Sequence, residues 1–170
     1  MRWDQPAAAG GYSDAVVDWR NDRVGSALDG RNPTVLRRLD GGIAVIGDVQ
    51  FLPGYCLLLT DEPGTDRLTD LPRDRRRAFL ASMEILGEAV EIVCRRFDPA
   101  FRRINMEIQG NLLPVLHAHV WPRYDWEPDG LIVGPVARYS EDHWRNADTR
   151  LGPRHDPIRA ALAAELDVLA

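Results

Sequence analysis

Two histidines, His117 and His119, stand one residue apart in the run Val115-Leu116-His117-Ala118-His119-Val120-Trp121. On a strand this run alternates, with Leu116, Ala118 and Val120 on a core face and Val115, His117, His119 and Trp121 on the other. The two imidazoles then project from one surface, about 6.5–7 Å apart along the chain. Such a pair is open to several readings. It can be no more than polar decoration of an exposed sheet face. It can be half of a metal site, since imidazole suits Zn, Cu, Fe or Ni, with Glu107 on the neighbouring strand as a third ligand. Or it can be a nucleophile and its helper. Neutral imidazole is available for attack near neutral pH, and a protonated neighbour would stabilise anionic oxygens.

The elements that must hold this pair are legible around it. Ser13 is a candidate cap for a helix from Asp14 to about Leu28, with Val16, Val17, Val24 and Leu28 as its apolar positions. Ile43 to Asp48 and Tyr55 to Thr60 read as strands joined through Phe51-Leu52-Pro53-Gly54, a hairpin pattern. Asp70-Leu71-Pro72 reads as a helix start with Asp70 as the N-cap. The helix continues to about Phe97, and Phe79, Met83, Leu86, Val90, Val93 and Phe97 recur at spacings of four and three along one face. Arg73, Arg75, Arg76 and Arg77 in its first turns read as a solvated face or a phosphate or partner contact. From Arg103 to Gln109 the residues alternate, with Ile104, Met106 and Ile108 opposed to Asn105 and Glu107. Gly110-Asn111 turns the chain, Pro114 opens the histidine strand, and Pro122 is expected to stop it. Residues 124–153 look irregular. Asp156-Pro157 opens a last helix striped by Ile158, Leu162, Leu166 and Leu169. Strands and helices mix without strict alternation, so the expected class is α+β with an antiparallel sheet.

Composition narrows the chemistry. All 21 basic residues among the 170 are Arg. Without Lys there is no Walker-A lysine, no kinase strand lysine and no Schiff-base lysine. A net charge of −5 argues against a general nucleic-acid binder. No apolar run reaches the ~20 residues of a membrane span, and the start of the sequence lacks a secretory h-region. Cys56 and Cys94 lie far apart, fit no metal spacing, and read as reduced core residues of a cytoplasmic protein.

The segment around the histidines resembles the histidine triad superfamily of nucleotide hydrolases and transferases. The family signature is His-φ-His-φ-His-φ-φ with φ apolar, often followed by Pro-Arg, and here it reads Val115-Leu116-His117-Ala118-His119-Val120-Trp121-Pro122-Arg123. Gly110-Asn111 with Pro114, the loop Asp48 to Tyr55, and Leu68-Thr69-Asp70-Leu71 before the long helix extend the likeness over about residues 40–125. The resemblance implies a histidine-triad-like antiparallel sheet of about five strands, one long helix on it, and extra N- and C-terminal helices. Residues 1–12 would be a flexible tail and 13–170 one domain, with 126–170 as a C-terminal extension.

The same resemblance implies an enzyme acting at the α-phosphate of a dinucleoside polyphosphate or nucleoside phosphoramidate. His117 would be the nucleophile that carries the nucleotidyl group, and His119 would contact the phosphate oxygens. A backbone carbonyl behind His117 should hold one ring N–H and leave the other nitrogen free. Asn105 would lie near the phosphates, Asn111 near the leaving group, Asp48 at the ribose hydroxyls or as a turn residue, and Arg123 at phosphate or in an ion pair. No cofactor is implied, and a nucleotide substrate and a homodimer are. The first triad position is Val115 instead of His, which makes a nucleotide-binding protein without turnover the second reading. A metal-dependent enzyme built on His117, His119 and Glu107 is the third. Tyr55, where the family usually has His, reads as structural. Trp121 is expected to pack, and His143-Trp144 to close over the site, line a dimer interface or pack locally.

Overall fold

The computed structural model describes residues 18–170. The expected tail and Ser13, Val16 and Val17 of the first helix lie outside the described residues. Five strands, β1 (Val35–Leu39), β2 (Gly42–Ile46), β3 (Cys56–Leu59), β4 (Phe101–Ile108) and β5 (His117–Tyr124), form one antiparallel sheet in the order β1-β2-β3-β5-β4. The histidine strand β5 is therefore internal, paired to β3 through Leu57↔His119 and Leu59↔His117. On its other side it pairs to β4 through Glu107↔His119 and Asn105↔Trp121.

The helices are α1 (Arg23–Leu28), α2 (Arg73–Phe97), α3 (Asp129–Ile132), α4 (Glu141–Arg145) and α5 (Asp156–Leu169). The main core lies between α2 and one sheet face. Phe79, Met83, Leu86, Val90 and Val93 meet Ala44, Ile46, Cys56, Leu58, Leu116, Ala118 and Val120 there. Helix α5 packs along α2 with Ile158, Leu162 and Leu166 buried, as its stripe predicts. Burying these apolar side chains is worth roughly 1.5–3 kcal/mol each before entropy. Cys56 and Cys94 are both buried and unpaired in this core. The opposite face, which carries the histidines, has a smaller cluster. Val24 and Ala27 of α1 cover Ile43, Val45 and Leu59, with Leu57 and Val115 at its margin.

Several expectations are corrected. Among the described residues the first helix is shorter: a 3₁₀ turn at Trp19–Asp22 precedes α1, which Asp22 caps through Gly25 N–H at 2.8 Å. The sequence reading missed β1 because Arg37 and Arg38 break its alternation. It is an edge strand, where charged residues are tolerated. Helix α2 starts at Arg73 after Pro72. Asp70 instead closes the preceding 3₁₀ turn by accepting the Arg67 N–H at 2.9 Å. Phe97, the last residue of α2, is exposed. Pro122 does not end β5, which runs on to Tyr124. The last β3 pairing is at Val120, so Pro122 lies where one flank of β5 has no strand neighbour. Residues 124–153 hold short helical turns instead of only irregular chain. Of the arginines at the start of α2, Arg73 and Arg77 are exposed, as a solvated face implies, and Arg75 and Arg76 have local partners. Arg75 bridges Asp61 and Glu62 at 2.7 and 2.8 Å, and Arg76 donates to Leu71 O at 2.9 Å.

Candidate active site

Antiparallel partners share a face, so His117 and His119 stand with Leu59 and Leu57 on the sheet surface opposite α2. Both are half-buried. Their ring centroids are 4.9 Å apart with the planes at 70°. Nδ1 of His117 lies 2.6 Å from the carbonyl oxygen of Val115. A carbonyl only accepts, so Nδ1 carries the ring proton. Whenever that ring is neutral, Nε2 presents a lone pair. The expected backbone hold on His117 is thus present, and the side chain of residue 115 takes no part in it.

His119 is held differently. Its Nδ1 lies 2.7 Å from the hydroxyl of Tyr55. The ring is parallel to Trp121 at 5.3 Å, and Trp121 stacks on Tyr55 at 3.5 Å and 9°. Burial first, and the neighbouring His117 second, push the His119 pKa down from 6.5 to about 4. His119 is therefore held neutral near pH 7, and the stabilising role open to a protonated neighbour is not available to it there. Sequence reasoning did not foresee the contact between Tyr55 and His119. Its one legible signal was that Tyr55 fills the family's histidine position in the loop after β2.

The register brings Glu107 opposite His119 and Asn105 opposite Trp121, so both share the histidine face. Glu107 accepts from Gln109 Nε2 instead of pairing with an arginine. Among the described residues no three His, Cys, Asp or Glu side chains converge closely enough to hold a metal ion. Asn111 is exposed in the loop between β4 and β5.

Two other predicted site residues are engaged elsewhere. The Asp48 carboxylate takes a bidentate pair from Arg23 of α1, at 3.1 and 2.7 Å, so it clamps α1 to the β2–β3 loop. Its side chain keeps 24% exposure. Arg123 takes the ion-pair alternative, and the pair is buried instead of lying at the surface. The strand parity of Arg123 points it to the histidine face, but residues 127–134 close over it and leave it 2% exposed. It binds Glu127 at 2.8–3.0 Å and donates to Gly134 O at 2.8 Å and Leu131 O at 2.9 Å. Glu127 also accepts from Tyr139 at 2.6 Å and from the Tyr124 N–H at 2.7 Å. With four of its five N–H groups engaged and the side chain enclosed, Arg123 anchors the C-terminal segment.

The anchored segment completes the far end of the histidine face. Trp144 meets Trp121 edge-on at 5.7 Å and Phe51 at 4.9 Å, and His143 lies 4.9 Å from Tyr139. Thus Trp121 packs, as expected, and Trp144 walls the site beyond it.

The chain has the histidine triad fold. Its structure is similar to a histidine triad protein from Marinobacter aquaeolei, with a TM-score of 0.63 and 20% identity over 80% of this chain and 90% of the other. A histidine triad protein from Sinorhizobium meliloti matches with a TM-score of 0.60 and 15% identity over 80% and 88%. A hypothetical histidine triad nucleotide-binding protein from Sulfolobus tokodaii matches with a TM-score of 0.62 and 10% identity over 86% and 93%. No family model and no curated protein sequence matches the chain. Among the described residues no helix is long and apolar enough to cross a membrane.

Proposed function

We propose that this chain is a histidine triad nucleotide hydrolase or nucleotidyltransferase. It would act at the α-phosphate of a dinucleoside polyphosphate or nucleoside phosphoramidate. The observation that carries this reading is the hydrogen bond from His117 Nδ1 to the Val115 carbonyl, which leaves Nε2 as the nucleophile. Nε2 attacks the α-phosphorus, a P–N bond forms, and the bond to the leaving phosphate or amine breaks, an amine taking a proton from solvent as it leaves. Water then attacks phosphorus, the P–N bond breaks, and the nucleoside monophosphate departs as the water's proton passes to solvent. The His119 N–H serves the phosphate oxygens as a neutral donor.

Asn105 shares this face and is assigned to the phosphates, and Asn111 to the leaving group. Asp48 is assigned to the ribose hydroxyls. Its carboxylate has acceptor capacity beyond the two bonds from Arg23. Residues 13–170 act as one unit in this reading, because the C-terminal extension supplies the Trp144 wall. Two chains would pair through the free edge of β4 and the adjoining surface of α2, where Met106, Ile108 and Leu80 are exposed. The buried, unpaired cysteines fit a cytoplasmic setting.

The test is hydrolysis of a diadenosine polyphosphate by the wild type and by His117→Ala. Loss of roughly a thousandfold or more supports the mechanism. Val115 motivates the second reading, a nucleotide-binding protein without turnover. Tight AMP binding by calorimetry with no product in a sensitive assay would select it.

A further inference from the structure

We propose that Tyr55 is a positioning residue for the histidine pair. Its hydroxyl donates to Nδ1 of His119, which fixes that ring's proton on Nε2 and directs it away from Tyr55. The catalytic meaning of this inference rests on the phosphate chemistry proposed above; the tautomer itself does not.

The seat of Tyr55 is built in detail. Its ring is only 5% exposed and stacks on Trp121. A Cβ at residue 47 would fall 2.2 Å from the Tyr55 ring, so Gly47 is what lets the ring in. The buried Gln50 side chain donates to the Tyr55 and Gly47 carbonyls at 2.9 and 2.8 Å, and the Tyr55 N–H donates to Leu52 O at 3.1 Å. Held by its backbone and by the stack on Trp121, the ring sets its hydroxyl 2.7 Å from His119 Nδ1.

The direction of that hydrogen bond follows from satisfaction. A phenol can donate or accept. If Nδ1 carried the proton, Tyr55 would accept it and its own O–H hydrogen would need another acceptor. Among the described residues the hydroxyl has none besides His119. A buried hydroxyl left without an acceptor costs about 1–3 kcal/mol. Donation to Nδ1 avoids that cost. Burial also pushes the Tyr55 pKa well above its ordinary value, so the hydrogen stays in place. The charged groups near the phenol, Arg23 and Asp48, neutralise each other in their own ion pair, and Glu107, opposite His119, is engaged by Gln109.

Tyr55 is level with Trp121 across the sheet, since Cys56 pairs with Val120. It therefore sits on the side of His119 remote from His117. The two imidazoles, 4.9 Å apart, then carry opposite hydrogen-bonding polarity. His117 offers a lone pair held by a carbonyl, and His119 offers an N–H held by a phenol. A phosphate under nucleophilic attack needs both an electron pair at phosphorus and a donor to its oxygens.

The test is nitrogen-15 NMR of the histidine rings in the free protein near pH 7, wild type against Tyr55→Phe. In the wild type His119 should be a single tautomer with Nε2 protonated. Its Nδ1 should be displaced upfield, as an unprotonated nitrogen that accepts a hydrogen bond. Tyr55→Phe should remove that displacement and leave the His117 resonances in place. A wild-type His119 protonated on Nδ1, or an Nδ1 shift identical in the two proteins, would overturn the proposal. No substrate is used, so undiminished hydrolysis by His117→Ala would overturn the functional reading alone, and a wrong tautomer would overturn this inference alone.

Discussion

The main-chain carbonyl of Val115 accepts the Nδ1 proton of His117 at 2.6 Å, while the Val115 side chain turns to the cluster formed by Val24, Ala27 and Ile43. The position where the family signature has its first histidine is thus split between a backbone role and an apolar packing role. Val115→Ala should keep kcat within about threefold of wild type, because the carbonyl remains. It should lose about 1 kcal/mol of stability from the half-buried methyls. Steady-state kinetics and denaturant unfolding check both. A collapse of kcat with stability intact would show that the side chain does more than pack.

Arg123 and Glu127 form an ion pair that is almost fully enclosed. Arg123→Ala leaves the Glu127 carboxylate buried without its main partner, a change that typically costs about 3–5 kcal/mol. Thermal unfolding should shift down by roughly 10 °C. Removing both charges with well-packed apolar residues should recover part of that loss. Nucleotide affinity of the folded fraction should stay within about twofold, since the Arg123 guanidinium is enclosed and bound to Glu127. A selective loss of affinity at unchanged stability would restore the phosphate role expected from sequence.

The His119 pKa is pushed down to about 4 by burial and by His117. Between that value and its ordinary 6.5, the unfolded chain binds more protons than the folded one, so stability rises with pH across this window. The contribution is fully present above about pH 6.5 and is lost as pH falls through about 4. Unfolding midpoints measured across that range should fall less steeply in His119→Asn than in the wild type. Equal slopes would mean that His119 does not titrate as its surroundings dictate.

Asp48 pairs with Arg23 in a partly exposed setting, so the pair itself is worth little, about 0–1 kcal/mol. Asp48→Ala should therefore leave the protein folded. If Asp48 also meets the ribose, wild-type protein should bind AMP more tightly than 2′-deoxy-AMP by about tenfold, and the variant should lose that preference. Unchanged discrimination would reduce Asp48 to its clamp on α1.

The central elements were readable in the chain because period and punctuation agreed there. The α2 face from Phe79 to Val93, the α5 stripe and the alternation through His117 and His119 each matched one template. The missed parts depended on tertiary partners. Arg37 and Arg38 hid an edge strand. Arg123 looked exposed by strand parity, and only the return of residues 127–134 buries it. Tyr55 looked structural because its role is a hydrogen bond to a residue 64 positions away. The charge state of His119 depends on how deeply the ring is enclosed, which no local pattern reports.

The most direct test of His117 as the nucleophile is rapid quenching of wild-type protein with a diadenosine polyphosphate, followed by peptide mass mapping. A nucleotidyl adduct should form on the peptide containing His117, localise to that ring, and be absent in His117→Ala together with turnover. Hydrolysis at the wild-type rate by His117→Ala, with no adduct on either protein, would contradict it.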